Sequence, residues 1–229
     1  VRELTSIGVV AACLLGLVVS VARRRAGVSG QQDEHHRRSE RVAAMTGIER
    51  TVDPGIDRRG PEFPPLLDLL PVAIGVVGLI AAAIDAAPDG GTATAVSMLR
   101  TLVGAAFLGA VTDAMLLGHW YLVQPGLPRR LLNEIVTALG WVWPVEVVAL
   151  LLPTGMFSVW SGAVDDGWGG TLGWFWGACA ATTIVLVFVT RAALRERQYS
   201  AVMAATGLLY LAILTAFGTD LVARAVLDT

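Results

Sequence analysis

Residues Ala95 to Val123 read AVSMLRTLVGAAFLGAVTDAMLLGHWYLV, a stretch apolar and long enough to cross a bilayer, for which about 20 residues suffice. It nonetheless carries Arg100 near one end, Asp113 in its second half, and His119-Trp120-Tyr121 at the other end. An ionisable group at the centre of a membrane helix costs about 2.5–3.5 kcal/mol on insertion scales, so such groups turn toward a bundle interior, a water-filled cavity or a partner charge. A span of this kind cannot stand alone in lipid. It requires neighbouring helices, and the rest of the chain must supply them.

Composition agrees. Hydrophobic residues make up 55% and charged residues 16%, against about 25% charged in an average soluble domain, and the mean hydropathy is +0.64. The net charge of −2 gives no reason to expect a nucleic-acid partner. All 17 basic residues are Arg. Schiff-base chemistry needs a Lys amine, so a retinal-type pump or a pyridoxal-phosphate enzyme is excluded. Arg in place of Lys, with many Ala and Gly, suggests a high-GC bacterial gene and a place in the bacterial cytoplasmic (inner) membrane. Cys13 and Cys179 each sit in an apolar run, where a thiol behaves as a small hydrophobe.

Taken in order, the chain predicts six spans. The first, about Leu4 to Ala22, is followed at once by Arg23-Arg24-Arg25. A cleavable leader carries its positive charge before the apolar core, so residues 1–22 read as an uncleaved anchor. Residues 23–64 form a polar, Arg-rich segment, read as a cytoplasmic loop; Ser39 to Met45 within it is a candidate short helix, and the His35-His36 pair reads as solvated. Residues 65–229 are then expected to hold five further helices: about Pro65 to Ala86, Ala95 to Val123, Leu131 to Leu152 (broken by Pro144), Thr171 to Thr190, and Tyr199 to Leu227. A Trp- and Asp-bearing outer loop at 153–170 joins the fourth to the fifth. With residues 23–64 inside, Gln124–Arg130 and Arg191–Gln198 also fall inside and carry Arg. The loops at Pro88–Thr94 and Pro153–Gly170 carry none. That is the positive-inside pattern, and it places both termini outside.

Two polar constellations follow from depth along the spans, at about 1.5 Å per helical residue. Arg100, Glu146, Asp220 and Arg224 fall in one outer layer on three helices, allowing two opposite-sign pairs. Such pairs fix helix packing or, read functionally, line a pocket with Glu146 as its protonatable group. Nearer the cytoplasm, Asp113 and His119 lie on different faces of their helix, which weakens a dyad. His119, Trp120 and Tyr121 read as an interfacial anchor; a quinone or haem contact at His119 is the minority reading. One intramembrane histidine does not supply the four that a bis-His dihaem cytochrome needs. Gly and Ala stripes, including Gly104, Gly109, Gly173 and Gly177, permit close helix approach. No nucleophile motif, phosphate loop or zinc motif is present, and no metal site or obligatory cofactor is expected.

These features point to an all-α membrane protein of about six spans with no visible catalytic machinery. Two functions compete: an accessory subunit of a larger membrane assembly, with respiratory or quinone-linked complexes among the candidates, and a small proton-coupled transporter using its intramembrane Asp, Glu and Arg. Expected partners are the bilayer and other membrane subunits or further copies of the chain.

Overall fold

The computed structural model describes residues 2–23, 37, 40, 62–85, 91–123, 129–153, 155–196 and 198–227. The His35-His36 pair and nearly all of the candidate helix at 39–45 lie outside them. The elements are helical throughout: α1 (Arg2–Ala22), a 3₁₀ turn (Pro65–Asp68), α2 (Leu69–Asp85), α3 (Thr92–Val123), α4 (Arg130–Leu151), α5 (Gly155–Trp160), α6 (Thr171–Arg195) and α7 (Tyr199–Leu227). Six helical stretches are long and apolar enough to cross a membrane, so the chain is the all-α, multi-pass bundle its hydropathy predicts.

Three local features differ from expectation. Pro144 lies inside α4 and does not break it. The ring of a helical proline presses on the carbonyl four residues earlier, here that of Gly140, and membrane helices absorb such defects through neighbouring helices and local adjustment. Helix α6 continues past Thr190 to Arg195 and stops where Glu196 turns extended (φ −71°, ψ 137°). The loop at 153–170 contains α5, a six-residue helix too short to leave a hydropathy signal.

The chain divides into two compact units, Val1–Ala82 and Ala83–Thr229. In the first, α1 and α2 approach where small residues allow it: a side chain at Gly8 would meet Ile74, and one at Gly78 would meet Thr5. Most of both helices is outward-facing, with Leu4, Ile7, Val18 and Val72 all more than half exposed. The 3₁₀ turn forms because Pro65 has no N–H to give and a fixed φ; the Leu67 amide instead donates to the Pro64 carbonyl at 3.1 Å.

The second unit is a four-span bundle in which α3 packs on α4 and α7, and α6 packs on α4 and α7. Its seam is spaced by three and four residues. On α3 the buried positions are Gly104, Phe107, Val111, Ala114, Gly118 and Tyr121. On α7 they include Val202, Ala205, Leu209, Ala212, Ala216, Thr219 and Ala223. That repeat, close to 3.5, belongs to left-handed helix packing with knobs set into holes. Small residues let α7 lie close to both α3 and α6. A methyl group at Gly118 would touch Thr206 Oγ1 at 3.0 Å, and one at Gly218 would sit 2.8 Å from Cys179 Sγ. Polar bonds add specificity: Trp143 Nε1 donates to the Ala180 carbonyl at 3.0 Å, and Thr183 Oγ1 bonds Thr215 Oγ1 at 2.7 Å.

The two ends of this bundle differ in chemistry. At one end Arg129 donates to the carbonyls of Glu196 and Gln198, lacing together the two connections that carry Arg. At the other end, α5 folds back onto the bundle and seats Trp160 over Gly173 and Gly177. A side chain at Gly173 would lie 2.9 Å from the Trp160 ring. The glycine stripe of α6 is therefore a notch for an indole of the loop that joins α4 to α6. Trp160 also stacks edge-on against Phe157 and Trp176, with centroids 5.8 and 5.4 Å away.

Candidate functional site: a buried polar layer and an outward acid

The structure brings the four residues of the expected outer layer together. Arg100 comes from the second turn and beyond of α3, Glu146 from the last third of α4, and Asp220 and Arg224 from successive turns of α7. The four meet because α4 and α7 both run antiparallel to α3, which brings the start of α3 to the ends of the other two. Asp220, Arg224 and Arg100 are the charged groups acting on Glu146.

The pairing differs from expectation. Asp220 and Arg224 do form an ion pair, with Arg224 Nε 2.9 and 2.8 Å from the two carboxylate oxygens, and Arg224 Nη2 also donates to the Arg100 carbonyl at 3.2 Å. Arg100, however, aims its guanidinium at the end of α4: Nε donates to the Ala149 carbonyl at 3.1 Å and Nη2 to the Leu152 carbonyl. The last four carbonyls of a helix lack partners within it and form the negative end of its dipole. Arg100 is thus a cap supplied in trans to α4.

Gly104 makes the layer possible. It faces Arg224 and Asp220 so closely that a methyl group there would overlap the guanidinium and lie 2.7 Å from Asp220 Oδ1. Glu146 is fully buried. Neither of its carboxyl oxygens has a hydrogen-bond partner, although the Asp220 carboxyl is near enough to interact with it. Two carboxyl groups and two guanidinium groups therefore meet across three helices, the carboxyl groups buried and Arg224 partly exposed. Formal charges cancel across the set, while Glu146 lacks the direct bonds that the other three possess. Depth legible in the sequence located these residues; their directions were not legible.

The second constellation does not converge. His119 Nδ1 lies 3.3 Å from the Tyr210 hydroxyl, a partner on α7 that sequence reasoning missed. Trp120 points outward, 52% exposed, whereas Tyr121 is 3% exposed and faces the core. Consecutive helical residues are separated by about 100°, so these three rings cannot form one quinone or haem contact. Among the described residues, no group of three or more His, Cys, Asp or Glu side chains could hold a metal ion.

Asp113 faces outward as well. It stands on the open face of α3 with Ala106, Gly109, Leu116 and Trp120, and a side chain built at Gly109 would meet nothing within 4 Å. Among the described residues no hydrogen bond or ion pair reaches Asp113. Trp120 is an interfacial residue type, and Asp113, seven positions before it on the helix, puts its carboxyl group about 10 Å deeper.

In the loop between α5 and α6, Asp166 acts as the fastener of α6. Its Oδ1 accepts from the Trp168 and Gly170 amides at 2.9 and 2.8 Å, and its Oδ2 accepts from the Leu172 amide at 2.9 Å. Those amides, the Gly170 one foremost, hold its carboxyl below the usual range. The Gly-Gly turn before α6 allows this, with Gly169 and Gly170 both at positive φ.

Comparison with protein-family models, curated proteins and solved structures gives no match to this chain.

Proposed function

We propose that this chain is a non-catalytic subunit of a larger membrane assembly, in the cytoplasmic membrane of a bacterium, and that the outward face of α3 is where it meets its partner. Asp113 carries this reading. A carboxyl group directed away from the bundle at membrane depth calls for a donor on another molecule, since lipid tails offer none. Gly109 and Ala106 beside it let a second backbone come close, as small residues do at membrane interfaces. A two-fold pairing of this face with a second copy would set Asp113 against its own equivalent, because such interfaces are self-complementary. A different polypeptide with an Arg, Lys, His or amide donor fits better.

A photo-crosslinking residue at Leu116, on the same face, is expected to yield one discrete adduct in native membranes, lost when Asp113 is changed to Leu. The same probe at Phe188, on the exposed side of α6, should yield lipid adducts only. Equal adduct patterns at both positions would sink the reading.

One observation favours a second reading, proton-coupled transport: Glu146 is a fully buried carboxyl group that faces the Asp220 carboxyl. A transporter would act alone in liposomes and lose coupled flux with Glu146→Gln. A subunit would show no flux in either form.

A further inference from the structure

Within the first unit, α1 and the segment 62–71 enclose a cleft of about 710 Å³ lined by Ala12, Gly16, Leu17, Phe63, Leu67 and Pro71, with Arg23 and Asp68 also on its wall. We propose that this cleft holds an amine-bearing glycerophospholipid, with an acyl chain along Gly16 and Leu17, its phosphate on Arg23 and its ammonium on Asp68. The inference does not depend on the subunit reading.

Four observations carry it. First, the size falls within the range of small-molecule sites, about 300–1,000 Å³, and the walls are apolar except at one end. Second, that end sits where α1 finishes and the second span begins, which is the level of the lipid headgroups. Third, the cleft is open at Gly16, where a side chain would meet nothing within 4 Å and an acyl chain finds room. Fourth, the polar end carries one cation and one anion. Arg23 Nη1 donates to the Glu62 carbonyl at 2.8 Å, which fixes the guanidinium using one of its five N–H donors. No ion pair joins Arg23 to Asp68 among the described residues.

Charge pattern selects the headgroup. A guanidinium recognises a phosphate through paired N–H donors, but Asp68 would repel a purely anionic lipid. A phosphoethanolamine headgroup offers a phosphate to Arg23 and an N–H donor to Asp68. A phosphocholine headgroup keeps the phosphate but has no N–H. The expected order of binding is therefore phosphatidylethanolamine first, then phosphatidylcholine and phosphatidylglycerol.

Native mass spectrometry of the full-length protein, delipidated and titrated with each of the three lipids, tests this. Arg23→Gln should weaken phosphatidylethanolamine binding about tenfold or more, as loss of a charge-assisted contact does. Asp68→Asn should abolish the preference for phosphatidylethanolamine over phosphatidylglycerol. Gly16→Leu keeps both charges and occupies the open space at Gly16, so it should weaken all three lipids alike. Cys13, which lines the cleft and is exposed, should react more slowly with a thiol reagent when phosphatidylethanolamine is bound; Cys179 is buried. Equal binding of the three lipids by the unmodified protein would overturn the proposal. So would wild-type binding by Gly16→Leu, or soluble phosphoethanolamine binding as tightly as the lipid.

Discussion

Two glycines five residues apart on α3 should respond to the same substitution with opposite signs. At Gly104 an added methyl group would overlap the Arg224 guanidinium and stand 2.7 Å from Asp220 Oδ1, whereas at Gly109 it would meet nothing within 4 Å. Ala is favoured over Gly within a helix by about 0.8–1.0 kcal/mol, and that gain is common to both sites. Overpacking a filled site costs about 1–3 kcal/mol. Gly109→Ala should therefore be neutral to stabilising by up to about 1 kcal/mol, and Gly104→Ala should fall below it by about 1–3 kcal/mol. The difference isolates the packing term because the propensity cancels. It is expected near the upper end, since Arg224 cannot retreat without loosening its bonds to Asp220 and to the Arg100 carbonyl. Reversible unfolding in mixed detergent micelles, followed by tryptophan fluorescence, gives both values. Equal stabilities for the two variants would refute the packing of α3 against α7 through Gly104.

The loop before α6 should respond to acid through Asp166. Amide donors hold the Asp166 carboxyl below its ordinary value of 3.8. The stabilisation is therefore complete above that value and is lost as pH falls through the lowered, folded-state one. Fluorescence from the Trp160–Trp174 region should change on that acid limb, and Asp166→Asn should remove the change. Trp143→Phe deletes the bond to the Ala180 carbonyl between α4 and α6, and should lower stability by about 0.6 to 1.5 kcal/mol, read by the same micelle unfolding.

Hydropathy made the spans legible because a membrane helix must be apolar along about 20 residues, and that property is local. It did not make the faces legible. In lipid the outward face is as apolar as the inward one, so Val111 in the core and Leu116 outside it look alike in sequence. The readable signal was residue size: Ala205, Ala212, Ala216 and Ala223 recur at near-heptad spacing on α7, and they mark the seam. Depth placed Arg100, Glu146, Asp220 and Arg224 in one layer, since rise per residue is fixed. It could not reveal that Arg100 would serve the carbonyls of Ala149 and Leu152, because backbone acceptors leave no trace in residue identity. The same holds for Trp160, whose seat is defined by what Gly173 and Gly177 lack. His119 and Tyr210 are 91 residues apart, and only the pairing of α3 with α7 brings them together.

The claim that this is a subunit rests on Asp113, and its most direct test is gentle purification from native membranes of the tagged protein and its Asp113→Leu variant. Native mass and an absorption spectrum would be taken on each fraction. The account predicts a stoichiometric second polypeptide with the unmodified chain, and its loss from the variant while the chain itself still elutes as a folded species. Purification of the unmodified chain alone, or an identical complex from both, would contradict it.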